Sequence, residues 1–173
     1  VIQLGEYPEN VFNVGALNVD ALKKIKILSK VKLEQEINFS FKGKTALVTF
    51  HPVTLQKETS GKYFQQLLDA IDSMKDLKII FTKTLADTEG RVINKMIDDY
   101  VSRNEDKSVA FTSMGQLNYI SALSYIDVVV GNSSSGVIET PSFKVPTINI
   151  GDRETVSYTH LRAHETLMNL VCR

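Results

Sequence analysis

The sequence predicts an α/β fold, a doubly wound parallel sheet with helices on both of its faces. Two observations carry this. Five short apolar runs, at 45–50, 77–81, 108–111, 126–130 and 147–150, lack polar alternation, as strands buried on both faces do. Helical periodicities fall between them, so strand–helix–strand units repeat at roughly 20–30 residues, the spacing of parallel βαβ units. Right-handed crossovers then place ligand chemistry at the carboxyl ends of the strands.

Taken in order, residues 1–6 read as the last turn of a helix ending near Gly5, with no starting Met and no cap before it, so the chain reads as a piece of a longer one. A short strand is expected at 11–15 and a Lys-rich helix from Val19 to about Asn38. Together, residues 1–44 suit the end of a preceding domain and a connector. Lys23, Lys24, Lys26, Lys30 and Lys32 read as a solvated face. Further on, Phe64, Leu67, Leu68, Ile71 and Met74 form one apolar stripe, and Val92, Ile93, Met96, Ile97 and Tyr100 a second. A shorter helix should hold Leu117, Ile120 and Leu123. There is no internal repeat and no low-complexity segment.

The 173 residues suffice for one domain with its own core. Twenty basic and twenty acidic side chains cancel, so no global field draws the chain to nucleic acid or an anionic membrane, and any anion site must be local. No apolar run approaches the ~20 residues that span a bilayer, and no signal-peptide pattern opens the chain. The single cysteine, Cys172, cannot form an internal disulfide, which fits a reducing cytoplasm.

The most informative segment runs from Val128 to Glu139. An apolar strand ends at Gly131, then Asn132, Ser133, Ser134, Ser135 and Gly136 lead into a helix. Free N–H groups at a helix start favour a phosphate. The serine hydroxyls add donors, and Gly136 lets a backbone approach closely. The helix dipole is worth only ~0.3–1 kcal/mol at an exposed site, whereas each hydrogen bond to a charged group is worth roughly 1.5–3 kcal/mol, so hydroxyls and amides should dominate. The alternative is a helix capped by Ser133 or Ser134 with the other serines idle. Glu139, about one turn on, could accept two hydrogen bonds from a ribose diol, or simply complement the dipole.

Two more strand ends carry candidate groups. His51 follows the first strand and precedes Pro52, which keeps it extended and facing the ligand crevice. There it could donate to a phosphate oxygen or shuttle a proton, or it is a loop histidine without a role. Arg153, after the 147–150 strand, could pair bidentately with a diphosphate, or with Asp152 or solvent.

The segments His51-Pro52-Val53-Thr54, Phe81-Thr82-Lys83, Ala86-Asp87-Thr88-Glu89-Gly90-Arg91, Gly131-Asn132-Ser133-Ser134-Ser135-Gly136, and Pro141-Ser142-Phe143 with Thr147-Ile148-Asn149-Ile150-Gly151-Asp152-Arg153, together resemble the C-terminal domain of hydrolysing UDP-N-acetylglucosamine 2-epimerases of the bacterial sialic-acid type. The resemblance implies one Rossmann-like half of a two-domain, glycosyltransferase-B-like fold, with UDP held mainly on this half. It implies Ser133 and Ser134 at the diphosphate, Glu139 at the ribose, Arg153 and His51 at the phosphates, and the backbone around Ser113, Met114 and Gly115 at the edge of the uracil. His51 is the one candidate for a catalytic role. The implied reaction eliminates UDP and then adds water to give N-acetylmannosamine, with no cofactor, and with acid/base carboxylates belonging mostly to the other domain. A fragment of this kind would bind UDP without turnover. The rivals are a 2-epimerase acting on a UDP-2,4-diacetamido sugar, a glycosyltransferase of the same fold, and a binding module without activity. Leu85 stands where the family commonly has Asn, so no ligand role is carried onto it.

Residues 45–153 are thus expected to form the UDP-binding domain, and a homo-oligomer is expected for the full-length protein. Residues 154–173 depart from the family pattern and read as a non-native tail. His160 and His164 lie within it in the order His-x-x-x-His-Glu, without a third ligand, so no metal site is expected.

Overall fold

The computed structural model describes residues 1–12, 19, 22, 24–52, 60–85, 88–151 and 169–172. Single 3₁₀ turns at Ile2–Leu4 and Pro8–Asn10 precede helix α1 (Lys30–Ile37). Then follow β1 (Lys44–Thr49), α2 (Ser60–Asp72), β2 (Leu77–Thr82), α3 (Thr88–Arg103), β3 (Ser108–Phe111), α4 (Gly115–Ala122), β4 (Val128–Gly131), α5 (Ser135–Ile138), a 3₁₀ turn at Thr140–Phe143, β5 (Thr147–Ile150) and β6 (Asn169–Cys172). The strands form one sheet in the order β3-β2-β1-β4-β5-β6, every pair parallel. The order reverses between β1 and β4, which is where a doubly wound sheet opens a crevice at its carboxyl edge.

Apolar runs without alternation give strands that feed two cores, one on each face. On one face Leu47, Ile80 and Val129 pack with Leu33 and Ile37 of α1 and Ile120 of α4. On the other, Ala46, Val48, Ile79 and Phe81 pack with Phe64 and Leu68 of α2 and Ile93, Ile97 and Tyr100 of α3. Rings of Phe64, Phe81 and Tyr100 run through this second core with centroids 6.4 and 5.6 Å apart, and such pairs add about 0.5–1.5 kcal/mol each beyond burial. Among the described residues no helix is long and apolar enough to cross a membrane.

All five expected strands form, with ends shifted by no more than two residues. The sixth lies within the segment read as a tail and pairs Thr147 with Asn169 and Ile150 with Cys172. Two expectations need correction. The Lys-rich stretch is not one helix from 19 to 38: residues 25–29 are irregular, and α1 starts only after Ser29, whose side chain accepts from the Lys32 amide at 3.4 Å. The break has a tertiary cause. The Leu28 N–H donates to Ser121 Oγ at 3.0 Å and the Leu28 carbonyl accepts from the Tyr125 hydroxyl at 2.7 Å, bonds a continuous helix would forfeit. The stripe limits also shift. Met74 lies beyond the end of α2 and is about half exposed, as is Val92 on α3, so neither belongs to the core. Of the strand expected at 11–15, Val11 and Phe12 stand outside any ladder and 13–15 lie outside the described residues, as do Lys23 and Arg153.

Candidate functional site

Where β1 and β4 part, each strand delivers a polar group to the carboxyl edge. Gly131 ends β4 opposite Thr49 of β1, at φ +143°, and any Cβ there would be driven into the Thr49 carbonyl. Only glycine lets the two strands close up at this point. The next residue, Asn132, is 1% exposed. Its amide N–H continues the ladder to the Thr49 carbonyl at 3.1 Å. Its side chain reaches across to His51, accepting from the His51 N–H at 2.7 Å and donating to the His51 carbonyl at 2.7 Å. A side-chain amide thus takes the place of a neighbouring strand and holds His51 extended beyond the end of β1, in line with the bias Pro52 imposes.

The same device recurs one strand away. Thr84, two residues past β2, has its N–H and carbonyl paired with the Asn94 side chain, each at 3.0 Å. The β1–β2 register sets Thr49 opposite Thr82, and their hydroxyls are hydrogen-bonded. Two residues on, the same face is presented again, and His51 Nδ1 meets Thr84 Oγ1 at 2.8 Å.

Beyond Asn132 the chain makes a serine turn. α5 is a single turn, so the helix expected here supplies little dipole, and the polar capacity of the turn lies in its amides and hydroxyls. Ser134 is exposed and makes no side-chain cap bond, while Ser133 Oγ accepts from the Ser135 N–H at 3.4 Å. Gly136 is buried, and a Cβ there would lie 2.7 Å from Thr147 Cγ2, so its smallness serves the close packing of α5 on β5. Thr140 ties this packing, donating to the Gly136 carbonyl at 2.6 Å and bonding Thr147 Oγ1 at 2.9 Å.

Glu139 closes the turn. Its Oε2 is buried and, among the described residues, has no hydrogen-bond partner. Such an atom costs about 1–3 kcal/mol unless something supplies a donor, and more for a charged group. Tyr119 of α4 bonds the Ser135 hydroxyl. Burial above all, and then the Glu139 charge, push its phenol up to about 12 against the opposing bond to Ser135, so it stays a neutral donor or acceptor at working pH. One helical turn back along α4, Met114 and Gly115 border a cavity of about 300 Å³ shared with Leu28, Lys32 and Glu36.

The structure therefore links His51 to the start of the serine turn through Asn132, and links Ser135 of that turn to α4 through Tyr119. Sequence reading named the segment but gave no role to Asn132, Thr84, Asn94 or Tyr119. The carboxyl-side signal for Asn132 was its place between a strand-ending glycine and the serines; Asn94 carried none.

A parallel sheet in this order, with a glycine-closed strand end and a serine-rich turn at its switch point, defines the Rossmann-like class of doubly wound domains. The profile of the UDP-N-acetylglucosamine 2-epimerase family matches residues 1–168, and the chain belongs to that family. It is 38% identical over 154 residues to a Campylobacter jejuni GDP/UDP-N,N'-diacetylbacillosamine 2-epimerase (hydrolyzing), covering 89% of this chain and 40% of the relative. It is 37% identical over 155 residues to the Escherichia coli polysialic acid biosynthesis protein P7, covering 89% and 39%. The crystal structure of the Neisseria meningitidis UDP-GlcNAc 2-epimerase bound to UDP-GlcNAc superposes with a TM-score of 0.69 at 16% identity, over 98% of this chain and 53% of that one. The chain thus spans about two fifths of the length of these curated relatives.

Proposed function

We propose that this chain is the UDP-binding part of a hydrolysing UDP-N-acetylglucosamine 2-epimerase, with residues 45–153 as the nucleotide domain and 1–44 leading into it. The observation that carries the reading is the buried, unpartnered oxygen of Glu139 beside a turn of serine hydroxyls and backbone amides. A carboxylate with one oxygen in that state suits a vicinal diol, whose O–H groups can supply the missing donor, as the diol does to the acidic residue in dinucleotide folds. The diphosphate then rests on Ser133 and Ser134, with His51 and Arg153 toward its charge, and the base enters the cavity at Met114 and Gly115. Donors at the diphosphate stabilise UDP as it leaves C1 while a proton leaves C2; water then adds across the resulting 2-acetamidoglucal to give N-acetylmannosamine. The proton transfers at C2 are assigned to carboxylates outside this chain.

The test compares UDP with 2′,3′-dideoxy-UDP by calorimetry on the full-length protein. The native protein should prefer UDP by about 1–2 kcal/mol, and Glu139→Gln should lose that preference with its fold intact. Equal preference in both proteins overturns the diol assignment.

A second reading has its own support. The 38% identity to a relative named for a diacetylbacillosamine substrate favours a UDP-2,4-diacetamido sugar. The ratio of kcat/KM for the two sugars with the full-length enzyme decides between them.

A further inference from the structure

We infer that Tyr119 of α4 is a positioning residue for the UDP site: through Ser135 it holds the serine turn in the shape that presents Ser133 and Glu139. This rests on the reading of that turn as the place where UDP lies. A four-residue helix cannot hold itself, because one turn forms too few internal bonds to offset the cost of fixing its backbone. α5 therefore keeps its shape through what it meets. Toward β5, Gly136 packs on Thr147, and Thr140 donates to the Gly136 carbonyl at 2.6 Å. Toward α4, the hydrogen bond between the Ser135 and Tyr119 hydroxyls ties it down. The anchor on that side is firm. Tyr119 packs against the first core, in which its neighbours Ile120 and Ala122 are buried, and Ser121 accepts from the Leu28 N–H at 3.0 Å.

Ser135 is also the centre of the turn's own bonds. Its N–H donates to Ser133 Oγ at 3.4 Å, and its carbonyl accepts from the Glu139 N–H at 3.0 Å. One residue thus touches both the serine assigned to the diphosphate and the carboxylate assigned to the ribose, so a shift at Ser135 reaches both. The third serine accordingly has a duty unlike that of Ser134, which is exposed and makes no side-chain cap bond. Which hydroxyl donates is immaterial to this role, since either direction holds the two oxygens together. Burial above all pushes the Tyr119 phenol up to about 12, so at working pH its removal takes away a hydrogen bond and not a charge.

A double-mutant cycle in UDP affinity, measured by calorimetry on the full-length protein, tests this. Tyr119→Phe keeps the ring and removes the hydroxyl, and should weaken UDP binding about fivefold, the worth of one net hydrogen bond. Ser135→Ala should do the same. The double variant should also be about fivefold weaker, rather than the roughly 25-fold of two independent losses, because both changes break one bond. The larger figure overturns the inference, since the two hydroxyls would then act separately. Native affinity in Tyr119→Phe overturns it too, even with a lowered urea midpoint, since Tyr119 would then support the fold alone. Should Tyr119→Phe fail to fold, Ser135→Thr, which keeps a hydroxyl on the same carbon, is set against Ser135→Ala. The threonine variant should bind UDP as the unmodified protein does and the alanine variant about fivefold more weakly; equal binding by the two overturns the inference. An unmodified protein that binds no UDP overturns the proposed function and this inference with it, whereas UDP binding that ignores Tyr119→Phe overturns the inference alone.

Discussion

The two strand ends that flank the switch point are built on opposite principles. At the exit of β1, the polar groups of His51 are tied to the protein: N–H and carbonyl to Asn132, Nδ1 to Thr84. At the exit of β4, past Asn132, the chain makes one short helical turn with an exposed Ser134 that makes no side-chain cap bond and a buried Glu139 oxygen that, among the described residues, has no donor. One exit is satisfied from within and is therefore rigid; the other keeps hydrogen-bonding capacity in hand, as a site awaiting a polar ligand does. The difference teaches that the groups which hold the shape and those whose polar capacity is unspent are different residues at neighbouring strand ends.

Three substitutions break or sharpen this contrast. Gly131→Ala strikes the junction of both exits. A methyl at φ +143° meets the Thr49 backbone, which cannot yield, so a loss of about 4 kcal/mol or failure to fold is expected in urea denaturation. A native midpoint would show that the strands have room to separate. Asn132→Ala dissolves the support of one exit only. It leaves the N–H and carbonyl of His51 without their partner and should cost about 2–3 kcal/mol by the same measurement. A loss no greater than that of a surface change would mean that water replaces the amide and that the β1 exit is not rigid. Ser134→Ala is the smallest and the most diagnostic. Stability should change by less than about 0.5 kcal/mol, since the hydroxyl supports nothing in the fold. UDP affinity of the full-length protein should fall by ~1–2 kcal/mol. A change in stability without one in affinity would reverse the roles assigned to the two exits.

The strands were legible because burial on both faces writes an unbroken apolar run, and the pattern 126–130 followed by glycine and serines marked the turn that leaves β4. The Lys-rich stretch misled because helical periodicity continues through Ile25, Ile27 and Leu28, which are partly buried for a different reason: they lie along the first core while Leu28 bonds to Ser121 and Tyr125, 93 and 97 residues away. Ser29 was a readable cap, but without a Glu three residues on it gave a weak start signal. Asn132 pairs with a residue 81 positions earlier, and His51 with Thr84 across 33. No periodicity reports such contacts, since they come from strand order and register. Gly136 shows the converse: its expected role was ligand approach, and what the fold shows is a packing duty against Thr147.

Asn132 has a consequence beyond stability. Its backbone belongs to the turn after β4 and its side chain to the turn after β1, so a single residue is hinge pin to both. A substitution that turns the Asn132 amide away therefore acts at two strand ends at once, on the backbone of His51 as well as on the turn that carries the serines.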